Sequence, residues 1–253
     1  MSSRKPVTAL FDGSFEGFMC LIHAYYYEGI APAAIFSEPD NIYQPALDSP
    51  DEFYVSTDFE KSDKVQQSIS EKISQDAYGY VTTAFLSEET DKYMPIFQYI
   101  LLGFKIGERV DDHLQQDCVL DTHRLARRVA KDAHILSGTC RFAETTTGVY
   151  YCAIAPKSYA LPIVAQHFSQ RLSTQPWIIH DKKRNHAAIY NGQEYIITSV
   201  PAGVKMELTA NEMEIQGLWK TFFHALAIKE RENYKVARTV IPLHYRKFML
   251  EFH

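Results

Sequence analysis

Between residues 138 and 200 the apolar residues change from helical spacing to alternation, and this switch constrains the fold more than any other feature of the chain. "GTCRFAETTTGVYYCAIAP" reads as two strands joined by a turn containing Gly148. "LPIVAQHFSQRL" returns to helical spacing. "PWIIHDKKRNHAAIYNGQEYIITSV" then reads as three strands, with turns at Asp181–Asn185 and Asn191–Gly192. A β-β-α-β-β-β order predicts an α+β fold in which an antiparallel sheet carries a helix on one face.

Helical segments flank this sheet. "VTALFDGSFEGFMCLIHAYYYEG" opens with a short β-rich run, turns at Asp12–Gly13 and continues as a helix with Ser14 at its N-cap. Phe15, Phe18, Leu21, Ile22 and Tyr25 follow helical spacing and face the core. Residues 37–52, rich in Ser, Pro, Asp and Asn, read as a surface loop, and "FYVSTD" as a short strand. Amphipathic helices are expected near 61–75, 76–87 and 91–106, a short helical segment at "ERVDDHLQQ", and a longer helix over 119–137 with Gly138 as a left-handed cap. A helix over about 209–228 and a shorter one after Pro242 complete the chain. The expectation is one compact α+β unit, 1–253. It divides into a mainly helical acidic part (1–138), an antiparallel sheet part (139–200) and a basic helical part (201–253), around a central sheet packed with N-terminal and C-terminal helices.

The 253 residues, 46% hydrophobic and 23% charged, match an ordinary globular protein. There is no apolar run long enough for a membrane span, and the first residues lack the apolar core and cleavage site of a signal peptide. Cys20, Cys118, Cys140 and Cys152 are widely spread and form no C-x-x-C pair, a pattern that fits reduced thiols and a cytoplasmic location. No metal or cofactor motif is present: the sequence lacks H-E-x-x-H, Walker A and G-x-S-x-G, and Gly13 and Gly17 do not complete a G-x-G-x-x-G.

Charge is unevenly distributed. Residues 1–119 hold 8 Lys and Arg against 20 Asp and Glu, a balance of −12; residues 120–253 hold 18 against 11, a balance of +7. A basic half is the footprint expected of a polyanion binder. Its densest stretch is "HRLARRVAKDAH" (123–134). At 100° per residue, Leu125, Val129, Ala133 and Leu136 fall on one side, with Arg124, Arg127 and Lys131 opposite and Arg128 on their flank. His123 and His134, eleven residues apart, share the basic side. The stripe is either a solvated face supported by acidic neighbours or a row of phosphate contacts. Lys182, Lys183 and Arg184 occupy a hairpin tip where turn chemistry favours Gly, Asn and Asp. Arg231, Lys235, Arg238, Arg246 and Lys247 lie among aromatic residues, Tyr245 included, a mixture that suits a backbone groove with base stacking or a helical core. The candidates for acid–base chemistry are Asp12, Glu16, His134, His180 and Asp181.

Several ordered stretches carry a resemblance: "FDGSFEGF", "LGFKIGERVDDHL", "HRLARRVAKDAHILSGTCRF", "GVYYCAIAP", "WIIHDKKRNHAAIY" and "IKERENYKVARTVIPLHYRKFMLEF". Through them the chain resembles, over nearly its whole length, a bacterial family of DNA-metabolism or DNA-repair proteins associated with a radical-SAM protein. Related domains occur fused to uracil-DNA-glycosylase-like modules. The resemblance implies a DNA-binding accessory factor, with a DNA-acting enzyme or a module docking the radical-SAM partner as alternatives. It also adds Arg141 and Tyr245 to the DNA-contacting candidates. Family members commonly read P-x-R-Y-W-K where this chain has "PLHYRKF", so His244 stands in place of a cation and Arg246 in place of an aromatic. The chain lacks the C-x-x-x-C-x-x-C cluster of radical-SAM enzymes, so the resemblance implies the companion and not the radical catalyst.

Overall fold

A computed structural model describes residues 5–38, 50–201, 203–204, 206–226 and 233–252. It divides into two compact units, Met1–Val129 and Ala130–His253.

The first unit is built on a three-stranded parallel sheet. β1 (Lys5–Phe11) lies between β2 (Ile30–Ser37) and β3 (Glu52–Val55). Val7, Thr8, Ala9 and Phe11 are all buried, as a central parallel strand covered on both faces requires. α1 (Phe15–Tyr27) connects β1 to β2 and buries Phe18, Met19, Leu21 and Ile22. α2 (Phe59–Lys72), α3 (Gln75–Phe85), α4 (Tyr93–Ile106) and a 3-10 turn (Gly107–Asp112) follow. Phe11, Phe18, Phe85 and Tyr93 form an aromatic cluster with ring centroids 5.1–5.9 Å apart.

This sheet departs from the expectation of a single central one. β2 escapes a sequence reading because Pro32 sits in the middle of "IAPAAIFS" and proline lacks the ladder donor. The strand tolerates it by running along the sheet edge, with an irregularity in register beside the proline: Val7 faces Pro32, but Thr8 faces Ala34. β2 also carries Ser37 into the segment read as loop; residues 39–49 of that segment lie outside the described residues.

α5 (Asp117–Thr139) leads into the second unit. Gly138 lies inside this helix and is absent from the left-handed glycines, contrary to its expected capping role; Cys140 N–H bonds to the Leu136 carbonyl at 2.9 Å, so the helical pattern runs past Gly138. The sheet order is β4 (Ala143–Glu144), β5 (Tyr150–Ile154), β6 (Trp177–Asp181), β7 (His186–Tyr190) and β8 (Tyr195–Ser199). The fold class is α+β and the sheet mostly antiparallel, but β5 and β6 pair in parallel because α6 (Leu161–Arg171) crosses over between them. Trp177 is fully buried, stacked on Tyr190 at 5.1 Å, and packs with Ile179, Ile154, Val164 and Phe168 in a core of its own. Both expected turns form: Asn185 takes φ 53° before β7, and Gly192 takes φ 98° while Asn191 Oδ1 accepts from Gln193 and Glu194 N–H. α7 (Ala210–Leu226), α8 (Tyr234–Val240), α9 (Leu243–Arg246) and a final 3-10 turn (Leu250–Phe252) end the unit; α8 has no counterpart among the expected helices.

Candidate nucleic-acid interface

The basic stripe of α5 divides by environment. Leu125, Val129, Ala133 and Leu136 are buried, as the periodicity requires. On the exposed side, Arg124 reaches Asp121 at 3.2 Å and Glu89 at 3.7 Å, and Arg128 also pairs with Glu89. Arg127 and Lys131, one turn apart, are exposed and form no ion pair among the described residues. His123 departs from expectation. It is buried, stacked on Tyr80 at 4.1 Å, with Nε2 2.7 Å from Asp111 Oδ1, an oxygen that also accepts from Tyr99 OH at 2.8 Å. Burial and this bond push the Tyr99 phenol well up. His134 shares the azimuth but is exposed.

In the second unit, three segments singled out by their cations meet at one loop, residues 156–160. The hairpin tip folds onto it: Arg184 donates to the carbonyls of Lys157 at 2.7 Å and Pro156 at 3.4 Å, and Lys183 Nζ donates to the Lys157 carbonyl at 3.0 Å. From α5, Asp132 accepts the Ser158 N–H at 2.9 Å, and its other oxygen accepts the buried Tyr245 hydroxyl at 2.5 Å. Burial and then this bond push the Tyr245 phenol up. Lys157 acts electrostatically on His244, which burial first and Lys157 second hold below the usual imidazole range. Lys131, Lys157 and Lys183 are exposed on the segments that converge here.

Other candidates have structural partners. Arg184 also pairs with fully buried Asp181 at 2.6 Å and lies 5.5 Å over the Tyr159 ring. Lys182 bonds the Val204 carbonyl and lies 5.8 Å from the Tyr151 ring. Arg141 grips Glu251 at 2.6 Å; burial pushes that carboxyl up, but the Arg141 bond and charge outweigh it and hold it below its usual value. Arg246 bonds the Ile241 carbonyl and covers Phe252 at 4.6 Å. Lys247 lies 5.9 Å from Phe248, Lys235 and Arg238 are exposed on α8, and Arg231 lies outside the described residues.

The acid–base candidates are divided between the two units. Asp12 and Glu16 belong to the first unit, the remaining three to the second. Asp12 accepts from Ser14 N–H at 2.9 Å, Ser14 Oγ at 2.6 Å and Thr57 Oγ1 at 2.7 Å. Burial pushes its carboxyl up, but these bonds prevail and hold it below the usual range. Consecutive strand residues His180 and Asp181 point to opposite faces. Asp181 holds the hairpin through Lys183 N–H and Arg184, whereas His180 Nδ1 lies 3.1 Å from Tyr151 OH and its Nε2 is buried without a partner among the described residues. Burial, with Lys182 nearby, lowers the His180 imidazole, and burial raises the Tyr151 phenol to about 12.

The neighbouring Cys152 thiol and burial push the Cys140 thiol well up, and both cysteines are free. Among the described residues, no three His, Cys, Asp or Glu side chains are grouped to hold a metal ion, and no helix is long and apolar enough to cross a membrane. No curated protein and no solved structure matches the chain. The model of a family described as a domain of unknown function, DUF4130, matches residues 90–251, more than half of the sequence, and the chain belongs to that family.

Proposed function

We propose that this chain is a nucleic-acid-binding accessory factor of DNA metabolism or repair that works beside a radical-SAM partner. The observation that carries the reading is the convergence of α5, the 182–184 hairpin tip and the C-terminal segment on residues 156–160. Arg184 and Asp132 bond the loop, Tyr245 holds Asp132 in place, and Lys131, Lys157 and Lys183 stand exposed on the segments they join. Lysine on a fixed scaffold suits phosphate contacts that position a strand without reading bases. The net positive balance of the second unit supports long-range attraction of a polyanion.

Fluorescence anisotropy with labelled single-stranded and double-stranded oligonucleotides, across a salt series, tests this. Intact protein is expected to bind at least one of them, with affinity falling steeply as salt rises. Charge reversal at Lys131, Lys157 and Lys183 should weaken binding to all sequences alike and shallow the salt slope by roughly one for each phosphate no longer engaged. Unchanged affinity in that variant would remove this surface from the proposal.

A second reading, docking of the radical-SAM partner, rests on α7. Ile215, Leu218, Trp219, Phe222 and Leu226 recur at helical spacing and are all exposed. Replacing Leu218 and Phe222 by Ser should abolish co-purification with that partner while leaving oligonucleotide binding intact.

A further inference from the structure

α1, α2 and α4 of the first unit line a cleft of about 640 Å³, within the size range of small-molecule sites. Helical spacing explains why each element faces it. His23, Tyr26 and Tyr27 stand at i, i+3 and i+4 on α1, and Phe104 and Lys105 lie one turn beyond Leu101 on α4. On α2, Lys64, Ser68 and Lys72 recur every fourth residue.

The lining combines two chemistries. Aromatic rings form one wall: Tyr26 meets Phe104 edge to face at 5.8 Å, and Tyr27 stacks on His23 at 4.3 Å while remaining 78% exposed. Exposed cations form the other: Lys64, Lys72 and Lys105 make no ion pair among the described residues. Residues 1–119 hold only 8 Lys and Arg against 20 acids, yet three of those cations line this one hollow. Like charges gathered without counter-charges repel one another, and an anion relieves that repulsion. His23 Nδ1 is buried without a hydrogen-bond partner among the described residues, which leaves a polar atom unsatisfied in the aromatic wall.

We propose that the α1–α2–α4 cleft binds a nucleoside phosphate, its base stacked on the Tyr26–Tyr27 wall and its phosphate held by Lys64, Lys72 and Lys105. A planar ring explains the aromatic wall, where a fatty acid would favour an aliphatic one, and the phosphate explains the lysines. Burial, and then Lys61, lower the His23 imidazole from its usual range, against the opposing pull of Glu28. The site is independent of the nucleic-acid surface proposed for the second unit.

Isothermal titration of the intact chain with AMP and TMP tests this, with adenosine, inorganic phosphate and laurate as comparison probes. One nucleotide should bind one per chain with a dissociation constant on the order of 1 mM or tighter. Adenosine and phosphate alone should each bind at least about tenfold more weakly, because each keeps half of the contacts. Lys64→Gln with Lys105→Gln, and separately Tyr27→Ala, should weaken binding by about tenfold or more, whereas Lys183→Gln should leave it unchanged. All these positions are exposed, so the variants keep the fold. The proposal is overturned if neither nucleotide binds, if the double lysine variant binds as well as the parent, or if laurate binds and displaces the nucleotide.

Discussion

Asp12 shows how one carboxylate can organise a strand end. It ties the loop after β1 to Ser14 and, across forty-five residues, to Thr57, while Ser14 Oγ accepts the Gly17 N–H at 2.9 Å. Gly17 is required because a Cβ there would sit 2.3 Å from Asp12 Oδ1 and 2.9 Å from Thr57 Oγ1. Gly17→Ala is therefore expected to cost about 1–3 kcal/mol, the usual range for overpacking a tight site, read by circular dichroism in a urea titration. An unchanged midpoint would show that the hub can open at no cost. "FDGSFEGF" disclosed the turn and the cap; it could not disclose Thr57, whose approach depends on β3 pairing beside β1. The two histidines of α5 teach the same lesson. They share an azimuth, but Tyr80 and Asp111 cover His123 and nothing comparable covers His134 among the described residues.

At the scale of elements, the β6–β7 hairpin explains part of its own charge. Arg184 neutralises a fully buried aspartate and fastens the tip to residues 156–157, so this cation is structural. Arg184→Ala should destabilise the second unit by about 3–5 kcal/mol, since it leaves a fully buried carboxylate without its ion-pair partner and, among the described residues, with only the Lys183 N–H to bond it. Lys183→Ala, at an exposed position, should change stability by less than about 0.5 kcal/mol. Both tryptophans, Trp177 and Trp219, lie in this unit, so fluorescence-monitored unfolding reads the difference; equal destabilisation would contradict the division of roles. The strands of this unit were legible because each alternates between turn-forming residues. The parallel β5–β6 pair was not, because strand direction is set by the α6 crossover and leaves no mark on the strands' own sequences.

For the whole molecule, the charge asymmetry follows the structural division: residues 1–129 hold 11 cations against 21 acids, a balance of −10, and residues 130–253 hold 15 against 10, a balance of +5. Titration gives a further expectation. His23, His180 and His244 are held below their usual range by burial and nearby lysines. Lowered folded values mean that the unfolded chain binds more protons, so this stability is complete above about pH 6.5 and fades as pH falls through the folded values. Asp12 and Glu251, also lowered, add stability that is present above about pH 4.5 and disappears on further acidification. Urea midpoints measured from pH 8 to 4 should therefore decline in two stages, and a flat profile between pH 7 and 5 would falsify the histidine contribution. The amino-acid sequence alone determined the helices other than α8, the strands of the second unit's sheet, their turns and the uneven charge, because periodicity, turn chemistry and formal charge are local properties. Only the tertiary structure decided which cations are ion-paired, that β2 and β3 flank β1 in a second sheet, and that three distant segments meet at residues 156–160. Those outcomes depend on contacts between residues far apart in the chain, where burial and proximity, not residue type, fix what a side chain can do.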